Sequence, residues 1–222
     1  MESRSSTGVR VLVADRQRLF CEGIVPLLQT APGIAEVCAA TTREEAVAQL
    51  ASFAADVVVF HPALDEQGPL PTARELVKAC RQGRLLFLDD RVRPIHVRIA
   101  LEAGPAGYWT KHAALEEIAG AIRMTAAGQM TFCPAVQPHV LSTREGPRID
   151  PASPLGTLAV LTSRELEVFL CVAQGFPVRD CAQMLGISES TVDNHKARLM
   201  RKLRVHKAIE LTWLAIREGM LP

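Results

Sequence analysis

The side chains whose chemistry is easiest to read are cationic and crowded together. Between Glu189 and Lys207 stand Lys196, Arg198, Arg201, Lys202, Arg204 and Lys207, against the two acids Glu189 and Asp193. Residues 1–158, by contrast, carry sixteen basic and seventeen acidic groups. Positive charge gathered on one short segment suits a phosphate backbone, because neutralising phosphates releases condensed counterions. Alone, such a run favours a solvated face of an ordinary bundle helix. The pattern around it shifts the balance.

Other chemistries are missing. The chain has no Gly-rich phosphate loop, no metal-ligand cluster and no nucleophile elbow, so neither an enzyme nor a cofactor or metal is expected. Cys21, Cys38, Cys80, Cys133, Cys171 and Cys181 are isolated, with no CxxC, and read as reduced, mostly buried thiols of a cytoplasmic protein. No apolar run reaches the ~18 residues that span a membrane. Residues 1–8 are polar and lack the apolar stretch of a signal peptide. With 48% hydrophobic residues in 222, the chain is long enough for one large domain or two small ones with buried cores.

The elements that carry the cationic run are helical. Thr162-Ser-Arg-Glu165 reads as a capping box, followed by Leu166, Phe169, Leu170 and Ala173 at helical spacing, and Gly175 ends that helix. Val178, Cys181, Ala182 and Leu185 mark a short second helix. Gly186-Ile187-Ser188 is a tight turn with Ser188 as N-cap. A longer helix over 189–203 buries Val192, Leu199 and Leu203, and a last helix carries Ile209, Trp213 and Ile216. Short helix, Gly-containing turn and longer helix make a helix-turn-helix, whose second helix enters the major groove with its first residues at the base edges.

Ahead of it the period changes. Residues 9–14, 36–40, 56–60, 85–88 and 107–110 read as strands, most of them near-continuously apolar, as strands buried on both faces are. Helical stretches lie between. Phe20, Ile24, Leu27 and Leu28 share a face of the first, which Pro26 should kink. Thr42-Arg-Glu-Glu45 is a second capping box, and Leu115, Ile118 and Ile122 mark the last, over 113–128. The fold expected is α/β, a doubly wound five-stranded parallel sheet over 9–130, followed by a small all-α four-helix domain over 158–222. Pro134, Pro138, Pro147, Pro151 and Pro154 make 131–157 read as a linker.

Residues 161–214 resemble the LuxR/NarL-type DNA-binding domain, through LTSRELEVFLCVAQG (161–175) and CAQMLGISESTVDNHKARLMRKL (181–203). The resemblance implies that Asp193, Asn194 and Ala197 touch bases, with His195 and Lys196 between them. Asn194 can read adenine by a bidentate contact. Thr191, Lys196, Arg198, Arg201 and Lys202 are candidates for phosphate. Asp193 departs from the basic residue often found there; it accepts from a cytosine amino group or weakens non-specific binding. Dimerisation through the last helix is also implied, with Ile209, Trp213 and Ile216 as the seam. Packing of that stripe within its own domain weighs equally.

Residues 9–130 resemble the receiver domain of NarL/FixJ-type response regulators, through VRVLVADRQRLFCEGI (9–24), ADVVVF (55–60) and AGPAGYWTKHAALEEIAGAI (103–122). A receiver of that kind phosphorylates an aspartate after its third strand, beside acids that hold Mg2+, a hydroxyl and a lysine. Here Asp15 and Lys111 match. The second acid is Arg16, the acceptor position is His61 and the hydroxyl position is Asp89. Each change removes a requirement: His61 cannot form an aspartyl phosphate, Arg16 puts fixed charge where a dication belongs, and Asp89 repels a phosphoryl group. A phosphohistidine at His61 is chemically open, but a histidine left in a retired pocket is the stronger reading. Arg16 and Lys111 are expected to pair with Asp15 and Asp89.

The function expected is a sequence-specific transcription regulator on double-stranded DNA, acting as a homodimer or as a heterodimer with a related regulator. Its receiver would not use aspartyl phosphate and would sense a small-molecule ligand or a partner. Two alternatives stand beside it: a phosphorelay response regulator with an unusual acceptor, and a heterodimer partner that titrates another regulator.

Overall fold

The computed structural model describes residues 8–65, 68–104, 106–144, 146–158 and 160–217. The polar start at 1–7, read above for targeting signals, lies outside them. No described helix is long and apolar enough to cross a membrane. The chain divides into two units, residues up to Val92 with Ile99–Pro138, and Arg93–Arg98 with residues from His139 on.

In the first unit β1 (Val9–Ala14), α1 (Arg18–Gln29), β2 (Ile34–Ala40), α2 (Arg43–Ser52), β3 (Val57–Phe60), α3 (Pro69–Ala79), β4 (Leu85–Asp89), α4 (Pro94–Glu102), β5 (Ala106–Thr110) and α5 (Leu115–Ala126) follow one another, α4 straddling the division. The strands pair in parallel in the order β2-β1-β3-β4-β5, as the alternation of apolar runs and helical periods requires. Alternate residues serve opposite faces. Val11, Val13, Val57, Val59, Leu86 and Leu88 pack with Cys21 and Leu28 of α1 and Ile118 and Ile122 of α5. Leu12, Val58, Phe60, Leu85 and Phe87 on the other face are buried too. Burying each such side chain favours folding by about 1.5–3 kcal/mol.

Helix α1 runs with Pro26 inside it to Gln29. Two local findings differ from the expectations. The Thr42 box is half made: Thr42 Oγ1 accepts from the Glu45 N–H, while the Glu45 carboxylate turns to the N–H and hydroxyl of Thr41. The segment read as linker begins as structure. Phe132 bridges Tyr108 in parallel, with Tyr108 N–H donating to Thr131 and Cys133 N–H donating to Tyr108. Gly107 permits this approach, since a Cβ there would lie 2.6 Å from Leu86 Cδ1 and 2.8 Å from the Thr131 carbonyl oxygen.

In the second unit β6 (Val140–Thr143) and β7 (Gly146–Ile149) form an antiparallel hairpin. Four helices follow: α6 (Ser163–Ala173), α7 (Val178–Leu185), α8 (Glu189–Leu203) and α9 (Ala208–Arg217). Leu166, Phe169, Cys181, Val192, Leu199, Leu211 and Leu214 are buried among them.

Candidate nucleic-acid interface and strand-end pocket

Local sequence sets the start of α8. Gly186 ends α7 in the left-handed conformation, φ 64°, which glycine adopts without steric penalty. Two residues later Ser188 Oγ accepts from the Thr191 N–H at 3.2 Å and contacts the Thr191 hydroxyl at 2.7 Å. Arg164 of α6 donates to the Leu185 carbonyl at the end of α7 and pairs with Glu167. Its reach is invisible in the one-dimensional pattern.

Within α8 the face opposite Val192 and Leu199 carries Asp193, Asn194, Ala197, Arg198 and Arg201, all exposed. They follow at i, i+1, i+4, i+5 and i+8, one stripe of a helix. Thr191, His195 and Lys196 are half-buried at its flanks. His195 Nδ1 is buried and lacks a hydrogen-bond partner among the described residues.

Lys202, expected to reach phosphate, is exposed but paired within its own domain: its ammonium lies 2.6 Å from Glu165 Oε2. That same carboxylate accepts from the Thr162 N–H at 2.7 Å, completing the capping box of α6. Burial pushes the Glu165 carboxyl up, but the Lys202 ammonium and the N–H and hydroxyl of Thr162 together hold it below the usual carboxylate range. In α9, Ile209 is 57%, Trp213 66% and Ile216 39% exposed, while Leu211, Leu214 and Ala215 turn inward. The stripe Ile209–Trp213–Ile216 is therefore not the packing face of its own domain.

The second cluster sits at the carboxyl ends of β1, β3, β4 and β5. Ala14 pairs with Phe60 and Asp89 with Thr110, so Asp15, His61, Asp89 and Lys111 emerge together. Strand order reverses between β1 and β3, where sheets of this class hold ligands. Asp15 and His61 are 2% and 3% exposed, and Asp89 is fully buried.

Partners differ from those expected. Arg16 is exposed and outside the cluster. Lys111 Nζ lies 2.8 Å from Asp15 Oδ2 and 3.0 Å from Oδ1 of Asp90, not of Asp89. Asp89 instead accepts from the Tyr108 hydroxyl at 2.8 Å and from the Asp90 N–H. Consecutive residues at a strand end point different ways, and the pair Asp89-Asp90 gives no sign in sequence of which one faces the lysine. Gln17 and Phe20 join in, with Gln17 Oε1 3.2 Å from Lys111 Nζ and the Phe20 ring centre 4.3 Å from it. Asp56 and Asp65 stand elsewhere, Asp56 on the Arg10 N–H and Asp65 on Arg43.

His61 Nδ1 accepts from the Ala63 N–H at 3.3 Å, and Nε2 faces Asp90 Oδ2 at 3.3 Å. Burial pushes the His61 pKa down; Asp15 and Asp90 oppose this and Lys111 adds to it. Burial raises the Asp90 carboxyl, but Lys111 and His61 hold it below the usual range.

These residues do not suit a divalent cation. His61, Asp89 and Asp90 bring ligand atoms within 4.8 Å of one another. A neutral ring whose Nδ1 accepts a hydrogen bond carries its proton on Nε2, so no lone pair faces the carboxylates. The position where a second acid would complete a hard oxygen set holds Arg16 instead, and the ammonium of Lys111 sits on Asp15.

Comparison with known proteins follows the same division. Residues 159–215 match the bacterial regulatory proteins of the luxR family. The chain is 30% identical over 213 residues to the response regulator UvrY of Escherichia coli K12, covering 96% of this chain and 95% of that one. It is 30% identical over 215 residues to the response regulator GacA of Pseudomonas aeruginosa, covering 96% and 98%. Among solved structures, RcsB of Salmonella enterica serovar Typhimurium, bound to promoter rprA in the presence of phosphomimetic BeF3−, shares the fold with a TM-score of 0.64 at 18% identity, covering 92% of this chain and 96% of that one.

Proposed function

Because the chain belongs to the NarL/FixJ-type response regulators with a LuxR-type C-terminal domain, we propose that it regulates transcription by sequence-specific binding to double-stranded DNA as a dimer, without aspartyl phosphorylation of its receiver. The carrying observation is the exposed stripe of α8, displayed just past a capped helix start. In this reading Asp193, Asn194 and Ala197 face base edges, and Thr191, Lys196, Arg198 and Arg201 hold phosphates. His195 lies half-buried at the flank of the stripe between the base-facing positions, and Lys202 acts chiefly through Glu165.

Three segments share the work: a receiver over 9–130, a connector over 131–157 and a reading head over 158–222. The seam of the dimer is Ile209, Trp213 and Ile216. RcsB has been solved as a DNA complex and as two dimers on two parallel DNAs, and the same mode is assigned here. The receiver, with histidine at the acceptor position and an ammonium on Asp15, takes its input from a ligand or a partner, in the cytoplasm.

Selection from randomised duplexes tests the reading. One sequence should be enriched, and Asn194→Ala should relax a single position of it at a cost of about 1–3 kcal/mol. Arg201→Ala should weaken all sequences alike and lower the salt slope by about one. Failure to enrich any sequence would overturn the assignment and favour a partner that titrates another regulator. Incubation with acetyl phosphate and Mg2+ should leave the protein mass unchanged; a phosphoryl adduct on His61 would favour the phosphorelay alternative.

A further inference from the structure

We propose that the ammonium of Lys111, clamped here between Asp15, Asp90 and Gln17 with no aspartate at the acceptor position, is the built-in cation of this receiver and keeps divalent metal out of the strand-end pocket. The inference rests on the reading that the receiver works without aspartyl phosphate, and it supplies the physical means. Lys111 Nζ has three oxygen neighbours, Asp15 Oδ2 at 2.8 Å, Asp90 Oδ1 at 3.0 Å and Gln17 Oε1 at 3.2 Å. A fourth side is closed by the Phe20 ring, 4.3 Å away, whose face attracts cations. The lysine side chain is 13% exposed and the Asp15 side chain 2%.

A metal entering here must displace a cation already desolvated and held by oxygen. It would also leave the displaced ammonium without its carboxylates. The other elements around the pocket offer it nothing in return. From β3, the Nδ1 lone pair of His61 is engaged by the Ala63 N–H, which in the neutral ring leaves the proton on Nε2. From β4, Asp89 is held by Tyr108 and by the Asp90 N–H. From the β1 end, the other oxygen of Asp15 accepts from the Gln17 N–H at 2.8 Å, and Arg16 is turned to solvent. Oxygen ligands that Mg2+ would need are thus either spent or ion-paired.

The consequence is specific to one side chain. Replacing Lys111 by methionine keeps an unbranched apolar stem against Phe20 and removes the charge. Asp15 and Asp90 then face each other without a cation, and a carboxylate pair with room for water is a ligand set for a hard dication.

The test is Mn2+ binding to the full chain, read from the free-ion signal in electron paramagnetic resonance. Wild type should bind no Mn2+ at the pocket up to about 1 mM, and excess Mg2+ should leave its melting temperature unchanged. Lys111→Met should bind at least roughly tenfold more tightly and gain thermal stability from the metal. Wild-type binding below about 1 mM that Asp15→Asn abolishes would overturn the inference, as would a folded Lys111→Met protein that binds no better than wild type. Should Lys111→Met fail to fold, Lys111→Gln takes its place, and the wild-type titration decides independently of both. Metal uptake by wild type without a phosphoryl adduct overturns this inference alone; uptake with an adduct overturns the reading beneath it.

Discussion

His61, at the end of β3, is a buried titratable residue whose environment has a measurable consequence. A buried imidazole whose Nε2 lies 3.3 Å from Asp90 Oδ2 without a hydrogen bond prefers to stay neutral in the fold. In the unfolded chain the same group titrates near its ordinary value of 6.5. As pH falls through that value the unfolded state binds the proton first, so the folded state loses stability, and it goes on losing until the folded group titrates as well. His61→Gln should flatten this part of the stability curve, leaving stability at pH 8 nearly unchanged. Chemical denaturation of both proteins at pH 8, 7, 6 and 5 reads the difference, and parallel curves would count against a neutral buried His61. The position of His61 was legible in the sequence because it ends a continuously apolar strand. Its partner was not. The sequence suggested Arg16 and Asp89 for the lysine's cluster; the fold supplies Asp90, Gln17 and Phe20. Which of two neighbours turns inward at a strand end is a matter of the following loop.

At the scale of elements, the reading head was legible because its ends are chemically marked. Gly186, Ser188 and the Thr162 box fix α6, α7 and α8 where helical spacing placed them. The hairpin of β6 and β7 was not legible, because Pro147 reads as a breaker. It is tolerated there opposite Ser142 in a two-stranded ribbon, where a missing N–H need cost no ladder bond. Glu165 ties two of the marked helices, capping α6 and gripping Lys202 of α8. Glu165→Gln keeps an acceptor for the Thr162 N–H and loses the charge, so it should cost less than Glu165→Ala, for which roughly 1–2 kcal/mol is expected. The folded carboxyl titrates below its unfolded counterpart, so its contribution is complete above the unfolded pKa and disappears as pH falls toward the folded one. Thermal melts of the isolated variants between pH 7 and pH 3 read both effects; equal losses for Gln and Ala would show that only the charge matters.

For the whole molecule, the layout of sheet unit and helical unit followed from the change of hydrophobic period near residue 130, which needs no tertiary information. Assembly did not follow, since an apolar stripe reads the same whether it faces a core or a partner. In α9 the stripe Ile209–Trp213–Ile216 is exposed and so is not core; as a dimer seam it belongs to the proposed reading. Trp213→Ala should shift the protein toward monomer in sedimentation while changing unfolding stability by no more than about 0.5 kcal/mol. DNA binding should then weaken most on paired half-sites about 34–36 Å apart; a variant that stays dimeric would place the seam elsewhere. Strand β5 would be the open flank of the sheet were it not for Phe132, seated beside Tyr108 where Gly107 leaves room. Phe132 takes up the outward N–H and C=O of Tyr108 at the middle of β5, which interrupts that edge as a template for a stranger's backbone. A bulkier residue at position 107 should displace this segment and expose the edge of β5 to pairing.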